Sequence, residues 1–493
     1  MRVAVIGAGL GGMAAAIRLA VSGVKVDVFE QSGETGGKAA SLWTSGYRFD
    51  TGPSLLTMPF VFRQLFEDAG ARWEDHVELV PLEPLSTNFF ADGTVLRDSS
   101  DLDSFAAALG AASVDAGRED LERYLDHARR LYDSTAPWFL MGSLHEAVRT
   151  RKLRPRDFAA LLRLDAARSL HRAHAAFFRD RRLVQLFDRY ATFNGSDPYR
   201  APATLAVIPA VEYGFGGYTV RGGIIRIPRA FELLARRLGV RFHLGARVQR
   251  IIVDGGRARG LQVDGLRLEA DAVVTNADVR TTYRDLLPSV RDRLGRRYER
   301  LTPSSSALVF LWGVKASFPE LSVSNIFFPK DYRQEFLDLF TRRTCPVDPT
   351  VFVNITSKVT PSDAPPGCEN WFVMVNAPAD EGQPWDALAA GARVAVLSRL
   401  RAALGRDVEG LIRAETVLTP VDIARRTSSA RGSLYGISSN SRAAAFLRHP
   451  NRHPRIRGLY FCGGSAHPGG GMPLVTLSGR TAAELLLKYE AGA

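Results

Sequence analysis

The stretch Arg2-Val3-Ala4-Val5-Ile6-Gly7-Ala8-Gly9-Leu10-Gly11-Gly12-Met13 decides the fold. Val3 to Ile6 reads as a short buried strand, and Met13 to Val21 carries small and apolar residues at helical spacing. Between them, Gly7-Ala8-Gly9-Leu10-Gly11-Gly12 fits G-x-G-x-x-G in the strand-turn-helix frame that gives the pattern its meaning. Gly7 permits the tight turn, Gly9 lets the backbone approach a pyrophosphate, and Gly12 lets helix and strand pack closely. The helix N-terminus then offers free N–H groups and a positive dipole end to phosphate. A second strand, Val24 to Phe29, leads to Glu30, placed where a carboxylate would accept hydrogen bonds from adenosine ribose hydroxyls. The opening is a dinucleotide-binding α/β unit, with NAD and FAD both open.

The residues farther out favour FAD. Glu34-Thr35-Gly36-Gly37-Lys38 continues the motif, and Phe49-Asp50-Thr51-Gly52-Pro53-Ser54 follows; glycines here let the chain pass close to a flavin's ribityl chain and pyrophosphate. Asp271-Ala272-Val273-Val274-Thr275-Asn276-Ala277-Asp278 supplies a second strand-to-loop signature of flavin domains. Gly458 to Gly479 gives a strand, the loop Gly463-Gly464-Ser465 and a helix from Met472-Pro473. Proline suits a first helical turn, whose N–H groups would face the electron-rich edge of a reduced flavin. Gly216-Gly217 and Gly255-Gly256 lack the strand-turn-helix frame and read as turns. With one cradle and no second nicotinamide site, oxygen or a quinone is the expected electron acceptor.

The cofactor unit is therefore assembled from separated segments: 1–75, 239–300 and 446–493, with a substrate domain from 76–238 and 301–445. Glu119 to Arg189 reads as a long, arginine-rich helical cap (about 119–190). Strands return from Val240 to Asp278, with turns at Asp254-Gly255-Gly256 and Asp264-Gly265. Ala307 to Trp312, Val351 to Asn354 and Trp371 to Val375 read as buried strands of another sheet, covered by a helix near Trp385 to Ala403.

The chain of 493 residues carries a net charge of +12. No finger, helix-turn-helix or RNA-binding signature accompanies that charge, so nucleic acid is not the expected partner. The segment Glu146 to Arg189 holds twelve Arg or Lys against five Asp or Glu. Leu161, Leu162, Phe177, Phe178, Leu183 and Leu186 are interleaved, and Trp138-Phe139-Leu140-Met141 lies just ahead. Two readings stand together: a core-packed cap with a solvated basic face, and a surface that rests on anionic lipid and admits a lipophilic substrate. No signal peptide precedes the first strand, and no apolar run reaches about 18 residues, so a cytoplasmic, peripherally membrane-associated protein is expected. Cys345, Cys368 and Cys462 are too few and too far apart for a disulfide framework or a CxxC site, and no metal is expected.

No nucleophilic triad stands out. Glu212, between the apolar run Leu205 to Val211 and Tyr213-Gly214-Phe215, is the candidate base or cation stabiliser. The structural alternative pairs it with Arg221 or Arg226. His171 and His174 read as surface residues, and His467 as shaping the loop beside the flavin.

These motifs resemble the glutathione-reductase-type FAD superfamily, and more closely its amine oxidase and phytoene desaturase branch. The run Gly-Leu-Tyr-Phe-Cys-Gly-Gly-Ser-Ala-His-Pro-Gly-Gly-Gly-Met-Pro-Leu-Val-Thr-Leu-Ser-Gly ending at Gly479 is similar to bacterial carotenoid desaturases. So is Arg189-Tyr-Ala-Thr-Phe-Asn-Gly-Ser-Asp-Pro-Tyr-Arg-Ala-Pro-Ala-Thr204, followed by Gly222-Gly223-Ile224. That pairing is most like the branch acting on 1-hydroxycarotenoids at the 3,4 bond. The resemblance covers essentially the whole chain and implies a Rossmann-like FAD domain interleaved with a mixed-sheet substrate domain and a membrane-facing cap. It implies FAD contacts at Gly7, Ala8, Gly9, Leu10, Gly11, Gly12, Glu30 and Gln31, then Gly36, Gly37, Lys38, Gly52, Pro53 and Ser54. Further contacts follow at Val248, Asn276, Ala277 and Asp278, and in the closing segment at Gly463, Gly464, Ser465, Met472, Pro473 and Val475.

The implied chemistry is hydride loss from an allylic carbon of a carotenoid to flavin, followed by loss of the neighbouring proton to a weak base or water. Phytoene or another acyclic carotene is the alternative substrate, and flavin-dependent carotenoid isomerisation the alternative reaction. An amine oxidase fits less well, because Ser465 to Met472 holds no Tyr, Trp or Phe to cage an amine. Prenyl-protein chaperones related to Rab GDP-dissociation inhibitors share the fold without flavin, but Gly7, Gly9, Gly12, Glu30, Gly36 and Gly37 are all in place here.

Overall fold

The computed structural model describes residues 1–150, 164–288, 293–441 and 448–490. Five parallel strands form one sheet in the order Arg241–Leu244, Lys25–Glu30, Arg2–Ile6, Ala272–Thr275, Leu459–Phe461. Both faces are covered: Val3 and Val5 enter one apolar cluster and Ala4 and Ile6 another. That is why the first strand reads as a continuous apolar run instead of an alternation. Chain order moves outward from Arg2–Ile6 to Arg241–Leu244, then restarts on the other side with Ala272–Thr275. Such a reversal opens a crevice beyond the strand ends, where open α/β sheets take ligands. Gly7 and Asn276 directly follow the two strands that flank it.

The first helix, Leu10–Val21, packs on the last, Met472–Glu490, at backbone contact. A Cβ on Gly479 would stand 2.3 Å from the Gly11 carbonyl oxygen. The two ends of the chain thus close one layer over the sheet.

A three-stranded antiparallel meander, Val248–Asp254, Arg257–Val263 and Leu266–Glu269, turns where the Gly-containing pairs stand. The second large sheet has seven strands in the order Ile412–Leu418, Ser306–Val314, Glu369–Ala377, Val351–Ile355, Ser324–Phe327, Ser86–Phe89, Val95–Asp98. The three apolar runs picked out in the sequence are its central strands. The helix Trp385–Leu404 covers it through Trp385, Ala392, Val396 and Leu400.

The arginine-rich region is not one long helix. Arg118–Thr135 runs into a widened turn at Ala136–Leu140, followed by Leu144–Arg149, Leu170–Phe177 and Arg181–Asp188. Capping side chains set the last two starts: Ser169 Oγ accepts from the Arg172 N–H and Asp180 from the Arg182 N–H. Phe178, Leu183 and Leu186 are buried beside Tyr124 and Phe187, so this part packs on the core. Leu161, Leu162 and the basic residues between 151 and 163 lie outside the described residues.

His174 corrects the surface reading. It is fully buried, its Nδ1 2.8 Å from an Asp188 oxygen and its Nε2 2.9 Å from the Tyr124 hydroxyl. His171 reaches the other Asp188 oxygen at 2.6 Å from the half-exposed side. Both histidines serve one buried carboxylate, whose charge demands donors.

Candidate functional site

The crevice begins at the turn after Arg2–Ile6. Gly7 adopts φ +92°, and its N–H donates to the Phe29 carbonyl at 2.8 Å. A Cβ on Gly12 would lie 2.2 Å from the Gly7 carbonyl oxygen, so the helix starts in direct contact with the turn. Gly9 caps that helix with no side-chain acceptor, and the first turn holds no acidic residue. Its early N–H groups have no intrahelical partner, and the helix starts at the crevice end of the first strand.

Asn276 is the hub of this space. Virtual Cβ atoms on Gly9, Gly11 and Gly463 would each stand 2.5–2.7 Å from its side-chain amide. The segment through Gly36 and Gly37 closes one side, with the Gly36 N–H donating to the Ala8 carbonyl at 2.9 Å. Glu30 ends its strand with Oε2 accepting from the Ala8 N–H at 2.8 Å and Oε1 from the Ser32 N–H at 2.9 Å. Gln31 instead turns outward, its amide donating to Ser428 Oγ at 2.8 Å. Val248 is buried in the neighbouring meander, near where Ala246 N–H donates to the Glu30 carbonyl at 2.8 Å.

Lys38 extends to the carbonyls of Leu434 and Ser433, at 2.6 and 3.2 Å. Burial draws its ammonium down to about 8, with Asp278 opposing. Burial raises the Asp278 carboxyl, with Lys38 opposing. Gly52 passes hard against the Lys38 backbone; a Cβ there would be 1.9 Å from its carbonyl oxygen. Pro53 and Ser54 continue half-buried.

The closing segment completes the rim. Gly463 N–H donates to Ser478 Oγ at 3.1 Å, and Ser465 Oγ accepts from the Val279 N–H at 2.9 Å. Met472 and Pro473 open the last helix, and the Val475 carbonyl would stand 3.0 Å from a Cβ on Gly11. Gly464 and Ala277 sit between these anchors. An uncapped helix end, glycines that leave no room for side chains and a carboxylate at the second strand's tip fit a dinucleotide's pyrophosphate and ribose.

His467 joins this loop to the residues after Trp138. Its Nε2 donates to the Gly142 carbonyl at 3.0 Å. Burial drives its ring down to about 3, so it is neutral at ordinary pH and keeps a single N–H, the one given to Gly142.

One cluster escaped the sequence reading, and another was seen only through one of its members. Arg48 is buried and bidentate to Asp363 at 2.6 and 2.5 Å, with Asp50 at 2.8 Å. Asp50 also accepts from the Ile224 N–H at 3.1 Å, and a Cβ on Gly223 would strike the Arg48 guanidinium at 2.1 Å. This explains why the Phe49–Ser54 motif and the Gly222-Gly223 pair occur together: one builds the ion pair and the other makes space for it. The signal was two opposite charges at i and i+2 on an otherwise buried strand.

The second cluster surrounds Glu212, on the helix Val207–Phe215. Neither Arg221 nor Arg226 pairs with it, contrary to the structural alternative; Arg221 binds Glu78 at 2.7 Å instead. Glu212 Oε1 accepts from the Tyr190 hydroxyl at 3.1 Å. Burial raises its carboxyl to about 7, partly offset by Arg189.

Comparison with known proteins joins this geometry to a family. The chain is 41% identical over 489 residues to a 1-hydroxycarotenoid 3,4-desaturase of Flavobacterium sp. (strain P99-3), covering 98% of each chain. It is 35% identical to a zeta-carotene-forming phytoene desaturase of Myxococcus xanthus, covering 99% of this chain and 94% of that one. An oxidoreductase of Methanosarcina mazei has the same fold, with a TM-score of 0.65 at 20% identity over 98% of this chain and all of that one. The protein is an oxidoreductase and its cofactor is FAD. The model of the flavin-containing amine oxidoreductases matches residues 10–487, and the chain belongs to that family.

Proposed function

We propose that the protein is an FAD-dependent carotenoid desaturase that forms the C3–C4 double bond of an acyclic 1-hydroxycarotenoid. The observation that carries this reading is the 41% identity, over 98% of both chains, to an enzyme named for that reaction. FAD would be held by the Gly7–Gly12 cradle, Glu30, the Gly36–Lys38 and Gly52–Ser54 segments, Asn276 to Asp278 and the closing loop. When bound, FAD supplies a hydride acceptor. This chain's own residues align one C–H of the polyene and exclude water around it. C4 is allylic to the polyene, so hydride loss there would leave a delocalised cation, and the C3 proton would pass to water or a weak base. With one dinucleotide cradle among the described residues, oxygen or a quinone is the terminal acceptor.

The purified enzyme in lipid is given a 1-hydroxylated acyclic carotene and, separately, phytoene. The hydroxylated compound is expected to lose two hydrogens and gain one conjugated bond. Conversion of phytoene with the hydroxylated compound untouched would replace the 3,4-desaturase reading with the phytoene one.

The substrate is lipophilic, and the reading includes docking on an anionic membrane. Among the described residues no helix is long and apolar enough to span a bilayer. Trp138 and Phe139 are half-exposed. Arg293, Arg296, Arg297 and Arg300 line a cleft of about 370 Å³, and none forms an ion pair with a described residue. Arg297 acts electrostatically on His145, which places the cleft near the helix that follows Met141. Each basic residue near an anionic surface contributes about 1 kcal/mol. Binding to anionic liposomes is therefore expected to weaken steeply as salt rises. Equal, salt-insensitive binding to neutral liposomes would contradict the electrostatic part.

A further inference from the structure

Arg189 and Glu212 are opposite charges buried in the same part of the substrate side, 6% and 4% exposed. They act on one another electrostatically, yet form no ion pair within 4.0 Å. Tyr190 lies between their demands. Its hydroxyl donates to Glu212 Oε1, and its ring carries the Arg189 guanidinium carbon at 4.8 Å. A second ring, Phe193, stands 5.5 Å from that carbon.

The valences left over are specific. Glu212 Oε2 is buried without a hydrogen-bond partner, as are Arg189 Nε and Nη2. The neighbouring carboxylate, Asp98, makes its hydrogen bonds elsewhere. Asp98 Oδ2 accepts from the Tyr213 hydroxyl at 2.8 Å, and Oδ1 accepts from Ser86 N–H, Ser86 Oγ and Asn88 Nδ2. The cluster therefore presents one unused acceptor and two unused donors, all on buried side chains. Buried polar atoms of this kind are rare and mark a place for a further partner.

The surroundings are apolar. Leu55, Phe193 and Ile208 are partly buried side chains packed with Tyr190 and Tyr213. Leu55 directly follows Gly52-Pro53-Ser54, and the Leu56 backbone pairs with Tyr218, just beyond the helix that carries Glu212. The segment expected to touch flavin and the helix bearing Glu212 are thus tied together, which suits a polar atom only a few bonds from the reacting carbon.

We infer that Arg189 and Glu212 form a receptor for a single neutral hydroxyl at the end of a polyene, the hydroxyl donating to Glu212 Oε2 and accepting from Arg189. A hydroxyl offers one donor to the Glu212 oxygen and two acceptor lone pairs to the Arg189 nitrogens, which matches what is missing. A carboxylate end group would meet the Glu212 charge, and an ammonium would meet the Arg189 charge. This assigns Glu212 to holding the substrate's end group in place of removing its proton. It rests on the carotenoid reading above and deepens it.

The test compares a 1-hydroxylated acyclic carotene with the same carotene lacking the hydroxyl, using holoenzyme in lipid and flavin content as the measure of folding. Wild type is expected to prefer the hydroxylated substrate by at least about tenfold in kcat/KM, because a site built around a hydroxyl leaves its own groups unpaired without one. Glu212→Leu and Arg189→Met are each expected to reduce that preference towards unity, mainly through KM for the hydroxylated substrate. Glu212→Gln, which keeps the side chain's size and its bond from Tyr190, covers the case in which the leucine variant does not fold; it is expected to lower the preference severalfold. A preference unchanged in flavin-replete variants would overturn the receptor, and those atoms would then meet only water. Equal wild-type turnover of both carotenes would overturn it too, while leaving the desaturase reading in place. No oxidation of either carotene would instead strike at that reading itself.

Discussion

Gly9→Val is expected to give a folded protein that no longer retains FAD. Gly9 has φ −74° and ψ 170°, so valine can adopt its backbone conformation. The damage comes from the side chain. Its Cβ would lie 2.7 Å from the Asn276 amide, in front of the helix end that has no cap of its own. Either Asn276 moves out of the crevice, or the valine methyls take the space a pyrophosphate needs. An overpacking cost of about 1–3 kcal/mol at that contact alone weakens binding roughly five- to 150-fold. Loss of the phosphate's approach to the helix N–H groups adds to it. Gly12 is a poorer probe, because a Cβ there would strike the Gly7 backbone at 2.2 Å and disturb the turn itself. The measurement is visible absorbance after desalting, with circular dichroism to report the fold. Stoichiometric FAD with an ordinary spectrum in the variant would mean that the cofactor does not enter over Gly9.

The cradle was legible in the sequence because backbone geometry leaves a local mark. A strand, three spaced glycines and a helix occur within about twenty residues, and each glycine has its own steric reason. The closing segment was legible on the same grounds, since Gly463 and Gly479 are forced by contacts with Asn276 and with the first helix. The seven-stranded sheet was half legible. Ser306–Val314 and Glu369–Ala377 are long and apolar, whereas Ser86–Phe89 and Val95–Asp98 are short strands whose buried polar residues satisfy one another. Hydrophobic periodicity carries no trace of that arrangement.

The region around Glu212 and His174 was least legible, because its contacts depend on pairings that local pattern does not report. Glu212 was picked out for its apolar neighbours, but Arg189 stood among many arginines and only the fold shows it buried. His174 looked like a surface residue on a basic helix. Its partner Asp188 lies 14 residues away, on a different helix, and the bond appears only once both are packed. Arg48 likewise finds Asp363 across 315 residues. Local pattern reports which face a residue prefers; it does not report which charge waits on the other side.

On this reading a carotenoid C–H bond, and not an amine, delivers electrons to the flavin. Oxidised holoenzyme in anionic lipid is mixed anaerobically with a 1-hydroxylated acyclic carotene, and the visible absorbance of the flavin is followed to its end point. The flavin is expected to bleach in step with a carotenoid product that has lost two hydrogens, one molecule per flavin reduced. A flavin that stays oxidised with every carotenoid offered, yet bleaches with a primary amine, would contradict it.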